Sequence, residues 1–269
     1  MGEAASQPAA IILAAGKGTR MRDDLPKVAH HVGGRPMVCA VVDACIQAGC
    51  AGIVVVVGYK HDIVRRALAA YPTVTFAMQN EQLGTGHAVL CAEPQLKGPD
   101  APRDCFVLCG DGPLIRARTL TALLARHRQT SAAATLATAV IDDPTGYGRI
   151  VRGTDGVFQR IVEHKNTSPA ERAIREVNPS YYCFDRAALF DSLRAVKTDA
   201  TSGEVFLTDA LAVLLARRLR VEVEPGVPPE DILSINTPED LAVVDAIYRR
   251  RSAHSADAAP RTLNAGLTS

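Results

Sequence analysis

The sequence predicts an α/β protein built on a doubly wound, mostly parallel sheet that carries a small antiparallel lobe. Three observations point there. Short apolar runs without alternation recur through the first half of the chain, helical patterns separate them, and a middle stretch switches to short alternating pieces divided by turns.

In order, AIILAA (from residue 10), GIVVVVG (52 to 58), VTFAM (74 to 78), CFVLCG (105 to 110) and AATLATAV (133 to 140) read as strands covered on both faces, as in parallel sheets. Pro36 is placed to open a helix with Met37, Val38, Val41, Val42, Cys45 and Ile46 on one face and Gly49 at its end. Helices are expected from about His61 to Ala70, His87 to Leu96 and Arg116 to Gln129. GYGRIVR, GVFQRIVEHK and EVNPSYYCF read as antiparallel strands, so residues 145–185 are expected to form a lobe over the sheet edge. Helices then return at about Arg186 to Arg194 and Thr208 to Arg217, followed by a strand near 220 to 224 and a last helix from Pro238 to Arg251. Residues 1–8 are expected to be a flexible leader, 9–250 the folded domain, and 251–269, small and polar, a disordered tail.

The composition excludes several classes of function. With 30 Lys and Arg against 29 Asp and Glu, the formal charge is +1, so no global field recruits nucleic acid or an anionic membrane, and any phosphate binding must be local. No apolar run reaches the length of a membrane span and the N-terminus lacks a signal-peptide pattern, so the chain is expected to be cytoplasmic. The seven cysteines show no CxxC and sit mostly in apolar runs, which suits buried thiols in a reducing compartment rather than disulfides or zinc. Neither GxSxG nor HExxH occurs.

The stretch IILAAGKGTRMRDDLPK (11 to 27) is the first functional signal. A glycine turn after a buried strand exposes backbone N–H groups that can cradle phosphate oxygens. A Walker A loop would need glycine at Ile11 and a hydroxyl residue at Gly18, and a dinucleotide fingerprint would need glycine at Met21. What remains places Arg20 and Lys27 on either side of the turn, an arrangement suited to a polyphosphate whose charge grows as it leaves.

This loop resembles that of the nucleotidyltransferases that join a nucleoside triphosphate to a sugar phosphate, and specifically the N-acetylglucosamine-1-phosphate uridylyltransferase domain of a bifunctional bacterial enzyme. The resemblance continues in the family's order through QNEQLGTGHA (79 to 88), CGDGPLI (109 to 115), GYGRIV (146 to 151), IVEHK (161 to 165), EVN (176 to 178), GEVFLTD (203 to 209) and SINTPEDL (234 to 241). It implies a Rossmann-like fold of the nucleotide-diphospho-sugar transferase type over 9–250, with the lobe binding sugar. It also implies UTP and a sugar 1-phosphate, N-acetylglucosamine 1-phosphate, as substrates, with Mg²⁺ as cofactor and neither nucleic acid nor membrane as partner.

Residue by residue, the resemblance assigns catalysis to Arg20 and Lys27 and the metal to Asp111 and Asn236. It assigns the nucleotide to Leu13, Ala14, Ala15, Gly16, Gly18, Thr19, Gln79, Gln82, Gly84 and Thr85, and the sugar to Gly148, Glu163, Asn178 and Thr208. Without it, QNEQLGTGHA reads as a helix cap, Asp111 as a turn cap, and Glu163 with Lys165 as a solvated ion pair. Two departures stand out. Gly112 occupies a position where the family usually has valine, and Pro179-Ser180 follows Asn178 where the family usually has Thr-Gly. The second leaves open another sugar phosphate or nucleotide; the first is the one hint of a sugar-nucleotide sensor without catalysis, against which stand Arg20, Lys27, Asp111 and Asn236. The family's second domain, a trimeric acetyltransferase of left-handed β-helix type, is not expected here, nor is a trimer; a monomer or weak dimer is.

Overall fold

The computed structural model describes residues 7–257; residues 1–6 of the expected leader and 258–269 of the expected tail lie outside them. The strands are β1 (Ala9–Ala14), β2 (His31–Val32), β3 (Arg35–Pro36), β4 (Gly52–Val57), β5 (Val74–Met78), β6 (Asp104–Cys109), β7 (Ala134–Ala137), β8 (Ala139–Val140), β9 (Gly148–Arg152), β10 (Phe158–Val162), β11 (Glu176–Asn178), β12 (Tyr181–Asp185) and β13 (Val221–Glu224). The helices are α1 (Met37–Gln47), α2 (His61–Ala67), α3 (Thr85–Cys91), α4 (Ala117–Thr130), α5 (Pro169–Arg172), α6 (Arg186–Ala195), α7 (Leu207–Ala216) and α8 (Pro238–Asp257).

A seven-stranded sheet runs in the order β13-β7-β12-β6-β1-β4-β5, parallel except for β12. The unbroken apolar runs are explained by its two covered faces. Ala10, Ile12 and Ala14 of β1 face a core shared with α1, α2, α4 and α8, while Ala9 and Ile11 face a second core shared with α3, α6 and α7. The chain steps from β1 out to β4 and β5, then crosses back to lay β6 on the other flank of β1. The loops after β1 and β6 therefore diverge at the sheet's carboxyl edge, the switch point at which such folds bind ligands.

Helix α1 ends as its glycine foretells: Gly49 has φ +83°, its N–H donates to Ile46 O, and the Cys50 N–H donates to Cys45 O, a Schellman closure. Ile46, expected on the buried face, is 42% exposed because it lies at the edge of the stripe formed by Met37, Val38, Val41, Val42 and Cys45. Three further expectations need correction. The run 133 to 140 is not one strand: β7 stays in the main sheet and β8 joins a second, four-stranded sheet ordered β10-β9-β11-β8. That second sheet is the lobe, and it excludes Tyr181–Asp185, which the expected bounds 145–185 included. Those residues form β12, paired with both β6 and β7, as the apolar run YYCF suits. Finally, α8 continues past Arg251 to Asp257, since adding turns to an existing helix costs far less than starting one.

Candidate active site

The loop after β1 turns back through Gly18, in the left-handed conformation at φ +73°. A Cβ there would stand 2.5 Å from the Lys27 Cβ, so the glycine lets the loop close against the stem of Lys27. The far end of the loop is latched to the end of β4, where Tyr59 and Lys60 both donate to Asp24. The Tyr59 N–H also bonds Ala15 O at 3.1 Å.

Lys27 reaches across to the end of β6. Its ammonium donates to Asp111 Oδ2 and, at 3.1 Å, to Asn236 Oδ1. Arg20 donates to the same Asn236 oxygen at 2.9 Å. Asn236 is held just ahead of α8 by a reciprocal cap: Asp240 accepts the Asn236 and Thr237 N–H groups, each at 2.9 Å, and its own N–H donates to Thr237 Oγ1. The Ile235 N–H donates to the Asp111 carbonyl at 3.0 Å, tying that segment to the β6 turn. Two oxygens from distant segments thus converge on one positive charge. The pair is the hard-oxygen donor set that Mg²⁺ takes together with water and phosphate oxygens, so these residues fit that ion.

A cavity of about 300 Å³ lies beside this cluster, lined by Leu13, Ala14, Ala15, Gly16, Gln79, Gln82, Gly84 and Thr85, with Lys27 and Asp111 at its margin. Gln79 is 4% exposed; its Nε2 donates to Gly84 O at 3.1 Å and lies 3.1 Å from His87 Nδ1, which leaves Oε1 as the acceptor it can offer. Gly84, at φ +95°, sits where a Cβ would come within 2.5 Å of Val205 O, and the surrounding chain is sewn by Gly86 N–H to Val205 O and Val205 N–H to Leu83 O. Gly18 and Thr19 do not line the cavity; the first seats Lys27 and the second opens the short turn that carries Arg20.

A second cavity, of about 470 Å³, shares Leu13, Thr85, Cys109 and Phe206 with the first and extends under the lobe. Glu163 and Thr208 line it, and Thr208 Oγ1 donates to Glu163 Oε1 at 3.4 Å. Burial pushes the Glu163 carboxyl up from its ordinary value, with Thr208 and then Lys165 opposing, so the carboxyl belongs to the cavity wall rather than to a fully solvated ion pair; the Lys165 ammonium lies 5.4 Å from the Phe206 ring centroid. Cys109 also faces the cleft, its thiol pushed up to about 12 by burial and then by the nearby Asp111, which keeps it un-ionised.

Gly148 and Asn178 stand behind this wall, paired with each other across β9 and β11. A Cβ on Gly148 would meet Ile161 at 2.8 Å. The Asn178 amide is committed internally: Nδ2 donates to the Tyr182 hydroxyl at 2.6 Å and Oδ1 accepts the Ser180 N–H at 3.1 Å. Proline at 179 followed by left-handed Ser180 (φ +63°) matches what a type II turn asks of its central residues, so the altered segment keeps a compact β11–β12 turn. Sequence reasoning did not name Lys165, Ser180, Tyr182 and Phe206 as lining residues; Lys165 and Phe206 lay inside quoted motifs and Ser180 stood out as a departure beside Asn178, while Tyr182 carried no signal.

Residues 10–213 match the MobA-like NTP transferase domain. The bifunctional protein GlmU of Heliobacterium modesticaldum is 45% identical over 242 residues, covering 90% of this chain and 52% of that protein. GlmU of Pelotomaculum thermopropionicum is 47% identical over 243 residues, again 90% and 52%. The chain therefore spans about half the length of the curated relatives it matches. A crystal structure of UDP-glucose pyrophosphorylase with UDP-glucose superposes with a TM-score of 0.73 at 18% identity, covering 91% of this chain and 100% of that one, a likeness of fold. With a family match over most of its length and the switch-point cleft of a nucleotidyltransferase, the chain belongs to the MobA-like NTP transferase domain family.

Proposed function

We propose that this nucleotidyltransferase moves UMP from UTP to N-acetylglucosamine 1-phosphate, releasing pyrophosphate. The observation that carries the reading is the convergence of Lys27, Arg20, Asp111 and Asn236 on one cluster, with Lys27 and Asp111 on the wall of the first cavity, which in turn shares Leu13, Thr85, Cys109 and Phe206 with the second. The first cavity offers Gln79 Oε1 to a pyrimidine N3–H and the backbone of Leu13 to Gly16 to the base and phosphates. In the second, Glu163 accepts from sugar hydroxyl or amide groups and Thr208 holds that carboxylate. Asn178 acts one step back, fixing Tyr182 and the Ser180 turn.

A phosphate oxygen of the sugar 1-phosphate attacks the α-phosphorus in line with the departing pyrophosphate, so neither a covalent intermediate nor a general base is required. Arg20 and Lys27 neutralise the charge that builds on the leaving group. Mg²⁺ held by Asp111 and Asn236 would add Lewis-acid polarisation of the phosphates. In the structure the Lys27 ammonium neutralises Asp111 on the wall of the first cavity, within reach of phosphate oxygens bound there; Asp111 and Asn236 are the residues that would hold the divalent cation.

The experiment is pyrophosphate release from UTP with Mg²⁺, comparing N-acetylglucosamine 1-phosphate, glucosamine 1-phosphate and glucose 1-phosphate. Preference for the first is expected. Turnover with another sugar would keep the chemistry and move the specificity to the Pro179-Ser180 turn. Binding of UDP-sugars without release from any nucleotide would replace the enzyme with a sensor.

A further inference from the structure

Tyr181 stands behind Asp111, outside the cleft. It is 1% exposed on β12, opposite Leu108 of β6, and its hydroxyl donates to the Asp231 carbonyl at 2.8 Å. The same oxygen lies 3.1 Å from where a Cβ on Gly112 would be. Asp231 begins the segment that leads to Asn236, and its carboxylate is pinned by Arg116 at 2.9 Å and Arg251 at 2.7 Å. One phenol therefore touches both the turn that carries Asp111 and the segment that carries Asn236.

We propose that Tyr181 is a positioning residue that sets the separation of the oxygens of Asp111 and Asn236, and that position 112 is glycine because the phenol takes its space. This rests on the reading of those two oxygens as a divalent-cation site. Gly112 is not among the left-handed residues, so its backbone does not demand glycine. The Tyr181 oxygen is the nearest atom a Cβ would meet; the next, ring carbons at 3.7 and 3.9 Å, are at ordinary contact distance. The hydroxyl would have to give by a few tenths of an ångström, and each tenth stretches its 2.8 Å bond to a carbonyl on an anchored segment. A side chain at 112 would instead displace the β6 turn, and Asp111 with it, or the segment bearing Asn236.

The test is Mn²⁺ binding to the full chain, read by electron paramagnetic resonance without nucleotide or turnover, beside thermal melts. Asp111→Asn defines the site's contribution. Gly112→Ala is expected to weaken Mn²⁺ binding about tenfold and Tyr181→Phe about threefold. The double variant, in which the alanine meets no hydroxyl, is expected to bind as Tyr181→Phe alone, a rescue that loss of general stability would not produce. Multiplying effects, or unchanged binding in both single variants while Asp111→Asn loses the site, would overturn the positioning role and leave the cation reading intact. Equal binding by the wild type and Asp111→Asn would overturn both.

Discussion

The two halves of the cleft are built from different materials. The half proposed for the nucleotide consists of loops leaving the carboxyl ends of parallel strands, and its supports are main-chain bonds such as Tyr59 N–H to Ala15 O and Gly86 N–H to Val205 O. The half proposed for the sugar is assembled from side chains on separate elements: Glu163 after β10, Ser180 in the β11–β12 turn, Thr208 in α7. Backbone donors in one loop must occur as one continuous motif, whereas a side-chain pocket can draw its pieces from anywhere the fold brings them. The compact turn made by Pro179 and left-handed Ser180 is one such piece, whereas Gly84 against Val205 O leaves no room for a side chain in the loop of the first cavity.

Substitution can break that contrast or sharpen it. The largest effect is expected at the junction: Lys27→Ala should lower kcat for pyrophosphate release about 10²- to 10³-fold, as loss of a preorganised charge does, while a thermal melt shows the fold retained. Arg20→Ala, removing an exposed cation, should follow with a smaller loss. On the nucleotide side, Gly84→Ala forces a side chain into a left-handed residue against a carbonyl. It should cost about 1–3 kcal/mol in urea unfolding and weaken UTP binding by calorimetry.

On the sugar side, Glu163→Gln should raise the KM for the sugar phosphate about tenfold, the effect of one charge-assisted hydrogen bond, and leave UTP affinity unchanged. Because burial raises the Glu163 pKa in the fold, its ionisation opposes folding. The wild type bears no penalty well below the ordinary value of 4.5 and loses stability as pH rises from there through the folded value. Glu163→Gln should therefore melt at the same temperature as the wild type at strongly acid pH and higher at neutral pH. The smallest effect is Ser180→Gly, which relieves a left-handed residue at some cost in chain entropy and should add about 0.5 kcal/mol to unfolding stability.

How much of the site was legible depended on how local its logic is. The β1 loop and the Gln79 to Thr85 segment could be found because strand, glycine turn and polar residues are contiguous. Tyr182 could not, since a Tyr in an apolar strand looks the same whether or not a cavity lies beside it, and Ser180 showed only as a departure beside Asn178, not as part of a cavity wall. Asn178 was found as a motif residue, yet only the fold puts both ends of its amide on Tyr182 and Ser180.

From composition and pattern alone came the layered α/β fold, the buried strands, the helix closure at Gly49 and the local, rather than global, character of the phosphate site. These follow from side-chain periodicity and backbone sterics, which act between near neighbours in the chain. Tertiary structure alone decided that β12 threads between β6 and β7, that Lys27 meets Asp111 and Arg20 meets Asn236, 84 and 216 residues away, and that Gly112 makes room for Tyr181. Strand order and such meetings are fixed by which faces pack together once the whole chain has closed, and no local pattern encodes that choice.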